Sequence, residues 1–102
     1  MTRDEHLHVI AMEECDELSQ RFSKALRFGG DEIQPGQAET NRVRVLREFA
    51  DLLAAMEMLG FTPVAGPDNA LRAWIDAKKA KVERYLAYSA ECGTLTEDDH
   101  DR

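Results

Sequence analysis

Hydrophobic residues recur at helical spacing in three stretches of the chain, and no stretch alternates them as a strand does. Each stretch is bounded by residues that commonly begin or end a helix, with glycine following all three. The predicted helices run from Thr2 or Asp4 to Phe28, from Thr40 or Asn41 to Leu59, and from Pro67, Asp68 or Asn69 to Cys92. Short connections between successive helices favour antiparallel packing, so the pattern predicts an all-α antiparallel bundle of three main helices.

The second helix is apolar on two sides. One side consists of Val43, Leu46, Phe49, Ala50 and Leu53, and the other of Leu52, Ala55, Met58 and Leu59. A helix of this kind is covered on both sides, and three helices from a chain of 102 residues can hardly enclose it. We therefore expect oligomerisation to complete the bundle, as a homodimer at least and a homotetramer by resemblance to the family described below.

Composition excludes several classes of protein. Hydrophobic residues make up 43% and charged residues 32%, which is ordinary for one globular domain. We assign this domain to residues 1–92 and expect residues 93–102, which are acidic, to form a flexible tail. A net charge of −7 argues against nucleic-acid polymers and anionic membranes as partners. The first residues are charged, no long apolar run occurs, and the two cysteines lack metal spacing. We therefore expect no signal peptide and a cytoplasmic protein.

Several acids fall where a purely structural helix would carry apolar residues. At 100° per residue, the apolar stripe of the first helix consists of Leu7, Ile10, Ala11, Leu18, Phe22 and Ala25. Glu14 lies in the middle of this stripe and Glu17 at its edge, whereas Glu13 points further out. On the second helix Glu48 and Asp51 share a side with apolar residues. In an antiparallel pair the two groups of acids lie at nearly the same height, so four carboxylates would face one groove.

Such a groove is unfavourable unless something compensates its charge. Two carboxylates about 5.5 Å apart repel by roughly 3 kcal/mol at an effective dielectric near 20. Protonation can relieve the repulsion, pairing with Arg21, Arg44 or Arg47 can offset it, and a solvated acidic face would reduce it. A hard divalent cation relieves it best, because Mg²⁺ prefers carboxylate oxygen. The carboxylates therefore favour a metal site, while the arginine-paired acidic face remains open.

The two motifs Glu13-Glu14-x-x-Glu17 and Glu48-x-x-Asp51 resemble the EExxE and ExxD signature of MazG-type all-α nucleoside triphosphate pyrophosphohydrolases. The resemblance covers roughly residues 7–88 and is strongest for small, phage-like members. It implies that Glu14, Glu17, Glu48 and Asp51 bind Mg²⁺, with Mn²⁺ as a possible substitute, and that Glu13 supports the metal from the second shell.

The resemblance also implies an activity, namely hydrolysis of a nucleoside triphosphate to the monophosphate and pyrophosphate, with a deoxynucleotide as the expected substrate. Glu17 or Glu48 would orient or deprotonate the attacking water. Basic residues on the last helix, here Lys78, Lys81 and Arg84, would bind the substrate phosphates, although a solvated cationic face explains them equally well.

Other readings remain open at this point. A phosphoribosyl-ATP pyrophosphatase-like enzyme shares the acidic bundle, and a helical interaction module without activity would also keep the helices. For Trp74 and Phe28 the sequence favours core packing over stacking on a base.

Overall fold

A computed structural model describes residues 1–61 and 70–96, and these residues form three α-helices and no strand. Helix α1 spans Arg3–Phe28, α2 spans Asn41–Met58 and α3 spans Ala70–Glu91. The predicted all-α class and the number of helices are confirmed. The proposed start of the third helix at residues 67–69 lies outside the described residues, as do residues 97–102 of the expected tail.

The first two helices begin at threonine caps. At α1, Thr2 Oγ1 accepts a hydrogen bond from the Glu5 amide at 3.1 Å, and the Glu5 side chain accepts one from the Thr2 amide at 3.4 Å. At α2, Thr40 Oγ1 accepts from the Val43 amide at 3.2 Å. Each bond satisfies an amide at the helix start that has no partner within the helix. These local contacts explain why the sequence predicted both starts closely.

The connection between α1 and α2 is closed by polar contacts. Gly29 ends α1 with a φ of 100°, a backbone conformation that glycine adopts at little cost. The Asn41 side chain is only 2% exposed, and its Nδ2 donates to the Gly29 carbonyl at 2.9 Å and to the Glu32 carboxylate at 3.0 Å. The Asn41 amide also donates to the Glu32 carbonyl at 2.9 Å. The end of α1 is thus tied directly to the start of α2.

The contact between α1 and α2 has a small core. Leu7 and Ala55 are the buried hydrophobic residues among those described. Half-buried residues extend the contact on both helices; on α1 they include Ala11, Leu18 and Ala25, and on α2 Val45, Leu52 and Leu59. Ile10 and Phe22, which the sequence pattern placed in the apolar stripe, are 43% and 59% exposed. The true contact stripe is narrower than predicted because a single neighbouring helix covers a narrow strip of surface.

The chain divides into two compact units, Met1–Thr62 and Pro63–Arg102. The described part of the second unit is α3 and the turn that follows it. Gly93 has a φ of 77°, and the Thr94 amide donates to the Ser89 carbonyl, a bond that caps the helix. None of the described α3 residues is buried, and Trp74 is 69% exposed. Phe28 on α1 is 42% exposed, so core packing, which the sequence favoured for both aromatic residues, is wrong for this chain by itself.

Within the described residues, no helix combines the length and the apolar character that a bilayer crossing requires.

Replacing Asn41 with aspartate should destabilise the hairpin of α1 and α2. The substitution removes the donor that bonds to Gly29 and Glu32 and places a second carboxylate beside the Glu32 side chain. A loss of roughly 2–4 kcal/mol in the free energy of unfolding is expected, because buried groups then lack partners and like charges meet. Chemical denaturation measures it. Gln20→Glu, the same change at an exposed position of α1, is the control and should alter stability by less than about 0.5 kcal/mol. Equal effects of the two changes would show that the Asn41 bonds do not hold the hairpin.

Candidate metal centre

Three carboxylates from two helices meet beside the contact between α1 and α2. Glu14 and Glu17 come from adjacent turns of α1, and Glu48 comes from the middle of α2. One carboxylate oxygen from each lies within 4.8 Å of the others, close enough for a single cation to bind all three. Glu14 and Glu48 are half-buried and Glu17 is exposed, so the group opens to solvent on the Glu17 side.

Two oxygens of this group lack a hydrogen-bond partner. Glu14 Oε2 and Glu48 Oε2 are both shielded from solvent, and neither has a partner among the described residues. A shielded carboxylate oxygen without a donor is costly unless a proton or a cation neutralises it. Either a proton or a cation bound at these oxygens would remove this cost.

Burial and neighbouring negative charges raise the pKa values of two carboxyls in this group. The pKa of Glu14 is raised above its ordinary value, first by burial and then by the negative charges of Glu17, Asp51 and Glu48, with a hydrogen bond to Glu48 adding to the shift. The pKa of Glu48 is raised by burial and by the charges of Glu17 and Asp51, together with a hydrogen bond to Glu17. Its hydrogen bond with Glu14 acts in the opposite direction. Both carboxyls therefore hold protons more strongly than free glutamate does.

Two of the arginines considered as partners for the group bind other residues. Arg47 forms an ion pair with Glu39, and that partner is the main reason why the pKa of Arg47 is raised. Arg44 donates to the Gln34 side chain at 2.7 Å. Among the described residues, none of Arg21, Arg44 and Arg47 has an ion pair with the three carboxylates, so pairing with these arginines does not neutralise the group. A solvated acidic face stays open as the alternative to a metal site.

The remaining predicted acids lie at the edge of the group. Asp51 is exposed, and its charge raises the pKa of both Glu14 and Glu48, which places it near them without making it part of the closest three. Glu13 is exposed and also lies outside the closest three. A cation bound by the three glutamates would draw Asp51 closer through charge attraction.

Arg21, which the sequence indicated only as a pairing partner for the acids, has an unused donor. It is half-buried on α1, one turn beyond Glu17, and its Nη1 is shielded from solvent without a hydrogen-bond partner among the described residues. The spacing of four residues from Glu17 was the available signal. A guanidinium with an unused donor is a chemically suitable contact for an anionic group.

The predicted phosphate-binding residues all lie on α3. Lys78, Lys81 and Arg84 are exposed, and the last two line an open groove of about 400 Å³ together with Tyr85 and Tyr88. The Lys81 ammonium lies 6.0 Å from the centre of the Tyr85 ring, within the range of a weak cation–π contact. Over its whole length α3 carries five Lys and Arg against three Asp and Glu, so it is the basic helix of an acidic chain.

Comparisons of this chain with protein-family models, with curated proteins and with solved structures find no match. The MazG-type relationship is therefore an expectation from the two acidic motifs, and the properties of the carboxylate group are those derived from its own geometry.

The raised pKa values predict how stability depends on pH. A carboxyl whose pKa is higher in the folded state stabilises that state fully below its unfolded pKa, and this contribution is lost as pH rises through the folded pKa. Without divalent cations, Glu48→Gln should therefore be similar in stability to the parent near pH 4 and more stable than the parent at pH 8. The difference in free energy of unfolding, measured by urea denaturation in EDTA across this range, tests the claim.

Glu57→Gln is the control for the pH series, because Glu57 is an exposed acid near the end of α2. It should show little pH-dependent difference from the parent. A Glu48→Gln variant that is less stable than the parent at pH 8 would contradict the account of uncompensated charge.

Proposed function

We propose that the three glutamates, with Asp51, form a site for Mg²⁺, for which Mn²⁺ can substitute. Glu14, Glu17, Glu48 and Asp51 would hold the ion, and Glu13 would support it from the second shell. The observation that carries the proposal is the uncompensated group itself, with its two shielded oxygens that lack partners. Carboxylate oxygens alone form the ligand set that a hard divalent cation prefers.

We further propose that the chain is a nucleotide pyrophosphohydrolase. The support is the resemblance of its two acidic motifs to those of MazG-type enzymes, together with the meeting of the motif residues Glu14, Glu17 and Glu48 at one place. In the proposed reaction, water adds to phosphorus at the α–β phosphoanhydride bond of a nucleoside triphosphate, with a deoxynucleotide as the expected substrate. That bond breaks, and a nucleoside monophosphate and pyrophosphate leave. Mg²⁺ in this position supplies charge neutralisation for the phosphate oxygens.

The carboxylates would also handle the proton of the attacking water. Glu17 is exposed, so its oxygen reaches a water at the mouth of the group. Glu48 has a raised pKa, which makes it the stronger base of the two when ionised. Each residue therefore has one property that the role requires, and both stay candidates for the general base.

Lys78, Lys81 and Arg84 are the proposed contacts for the substrate phosphates. Their exposure on the one basic helix suits them to an anionic ligand, and Arg84 can bind a phosphate through two donors.

The finer architecture belongs to the same proposal. We expect α1, α2 and α3 to complete an antiparallel bundle in a homodimer or homotetramer. The reason is the small core of the hairpin, in which Leu7 and Ala55 are the buried hydrophobic residues among those described.

Neutralising single members of the group should abolish hydrolysis and leave the fold intact. Glu14→Gln, Glu17→Gln, Glu48→Gln and Asp51→Asn should each lower pyrophosphate release from a panel of nucleoside triphosphates by about 100-fold or more. Each change keeps the size of the side chain and removes a charge from the metal ligands. Pyrophosphate release with Mg²⁺ present measures the loss.

Asp16→Asn and Glu57→Gln are matched controls, since both residues are exposed acids outside the group. They should retain activity close to that of the parent chain. A parent chain that releases no pyrophosphate from any substrate, including phosphoribosyl-ATP, would refute the enzymatic proposal and favour a helical interaction module.

Mg²⁺ should stabilise the parent chain, because it removes repulsion that exists only in the folded state. At a Mg²⁺ concentration 100 times its dissociation constant, the gain is about 2.7 kcal/mol for each site. The melting temperature, measured with millimolar Mg²⁺ and then with EDTA, checks this. A melting temperature that responds equally in Glu14→Gln and in the parent would place the ion elsewhere.

A further inference from the structure

Two half-buried arginines of the hairpin, Arg21 and Arg44, have no ion pair among the described residues. The exposed arginines of α2 differ from them. Arg42 and Arg47, whose side chains are 57% and 69% exposed, each form an ion pair with an acid. Because burial raises the cost of a charge without a partner, the two half-buried guanidiniums are the ones that most need an anion.

The hydrogen-bond donors of these two arginines are only partly used. Arg21 Nη1 is shielded from solvent and has no hydrogen-bond partner among the described residues. Arg44 Nη1 donates to the Gln34 side chain at 2.7 Å, and this bond orients the guanidinium without neutralising it, because an amide carries no charge. A shielded N–H group without an acceptor costs free energy, as a shielded carboxylate oxygen without a donor does.

Both arginines lie one helical turn from the carboxylate group, on the side of the connection between α1 and α2. Asn41 bonds the start of α2 to the residue that follows α1, so the connection comes after Glu17 on α1 and before Glu48 on α2. Arg21 follows Glu17 by four residues, and Arg44 precedes Glu48 by four. Four residues correspond to roughly 6 Å along the axis and a rotation of only about 40°, so each arginine faces nearly the same way as its glutamate.

The carboxylates and the arginines do not neutralise each other, although they come from neighbouring turns of the same helices. Glu14 Oε2 and Glu48 Oε2 are shielded and lack a donor, and Arg21 Nη1 is shielded and lacks an acceptor. A bare cation would satisfy the oxygens, but it repels the arginines and offers their donors nothing. An anion that binds the cation would satisfy both, because its oxygens can coordinate the metal and accept hydrogen bonds from a guanidinium.

We infer that Arg21 and Arg44 form an anion subsite for a pyrophosphoryl group whose oxygens also coordinate the cation held by the carboxylates. This subsite rests on the proposed function, because the cation is what joins the anion to the carboxylates. Guanidinium suits the ligand, since its fixed fork of donors matches two phosphate oxygens, and two linked phosphates span an offset of one turn more readily than one phosphate does. In the proposed reaction the subsite binds the pyrophosphate that leaves and stabilises the charge it gains as the bond breaks.

Calorimetric titration of inorganic pyrophosphate into the chain with saturating Mg²⁺ tests the subsite. Arg21→Gln should weaken pyrophosphate binding by roughly tenfold or more, since it removes hydrogen bonds to a charged group, and Arg44→Gln should weaken it as well. Binding of Mg²⁺ alone should be unchanged or tighter in both variants, because a positive charge near the cation has been removed. Arg21→Lys should keep part of the pyrophosphate affinity, since an ammonium retains the charge but not the fork of donors.

Arg27→Gln is the matched control, because it makes the same change of charge at an exposed position in the last turn of α1. Its pyrophosphate affinity should stay close to that of the parent chain. The melting temperature of each variant without ligand separates binding from folding. Arg21→Gln should melt no lower than the parent, because the shielded donor that it removes has no partner among the described residues.

Three results would overturn the inference. The first is an effect of Arg21→Gln on pyrophosphate binding no larger than that of Arg27→Gln. The second is an Arg21→Gln variant that melts lower and loses Mg²⁺ and pyrophosphate together, since Arg21 would then be a structural partner, for example of Asn41, whose shielded Oδ1 also lacks a donor. The third is a parent chain that binds Mg²⁺ through Glu14 but binds no pyrophosphate, which leaves the proposed metal site in place. A chain that binds neither would refute the metal site as well.

Discussion

The packing of α1 against α2 brings like charges together, and the main features of the hairpin follow from how that repulsion is managed. Glu14, Glu17 and Glu48 hold oxygens within 4.8 Å of one another, and two of these side chains carry shielded oxygens without partners. Each such pair costs roughly 3 kcal/mol or more at an effective dielectric near 20. Burial is the main reason why the pKa values of Glu14 and Glu48 are raised, and this repulsion adds to the shift.

Hydrogen bonds that do not involve the carboxylates stabilise the hairpin against this repulsion. The Asn41 side chain joins the start of α2 to Glu32 and to the carbonyl of Gly29, the residue that follows α1. The threonine caps satisfy one free amide at the start of each of the first two helices. Apolar burial contributes less, since Leu7 and Ala55 are the buried hydrophobic residues among those described. The Asn41 contacts at one end of the hairpin therefore help to fix the position of α2 along α1, and with it the meeting of the three acids.

The two flanks of the hairpin divide its chemistry. One flank carries the acids, and the other carries uncharged residues on both helices, such as Phe22 and Leu46. The exposed basic residues Lys78, Lys81 and Arg84 belong to α3, in the second compact unit.

The sequence by itself determined the helices closely, because their starts and ends depend on neighbouring residues. Thr2 with Glu5, Thr40, Gly29 and Gly93 act within a few residues of their own positions, so the chain order contains the information. It also placed Glu14 on the inner side of α1, since the helical period alone decides which side chains share a face. The acids of both motifs could be named from spacing, and resemblance supplied their chemical role.

Only the tertiary structure decided which of those acids meet and which partners the nearby arginines bind. Asp51 stays at the edge of the group, and Arg44 and Arg47 turn to Gln34 and Glu39, because long side chains bind whichever partner the folded connection brings near. The exposure of Ile10 and Phe22 likewise depends on how wide a strip the neighbouring helix covers. The burial of Asn41 could not be predicted from the sequence for the same reason. A polar residue at a helix start is typical of an exposed cap, and Asn41 is buried only because the loop between Gly29 and Thr40 packs against it. The local periodicity of the sequence determines the helices, whereas contacts between residues distant in the chain determine the site.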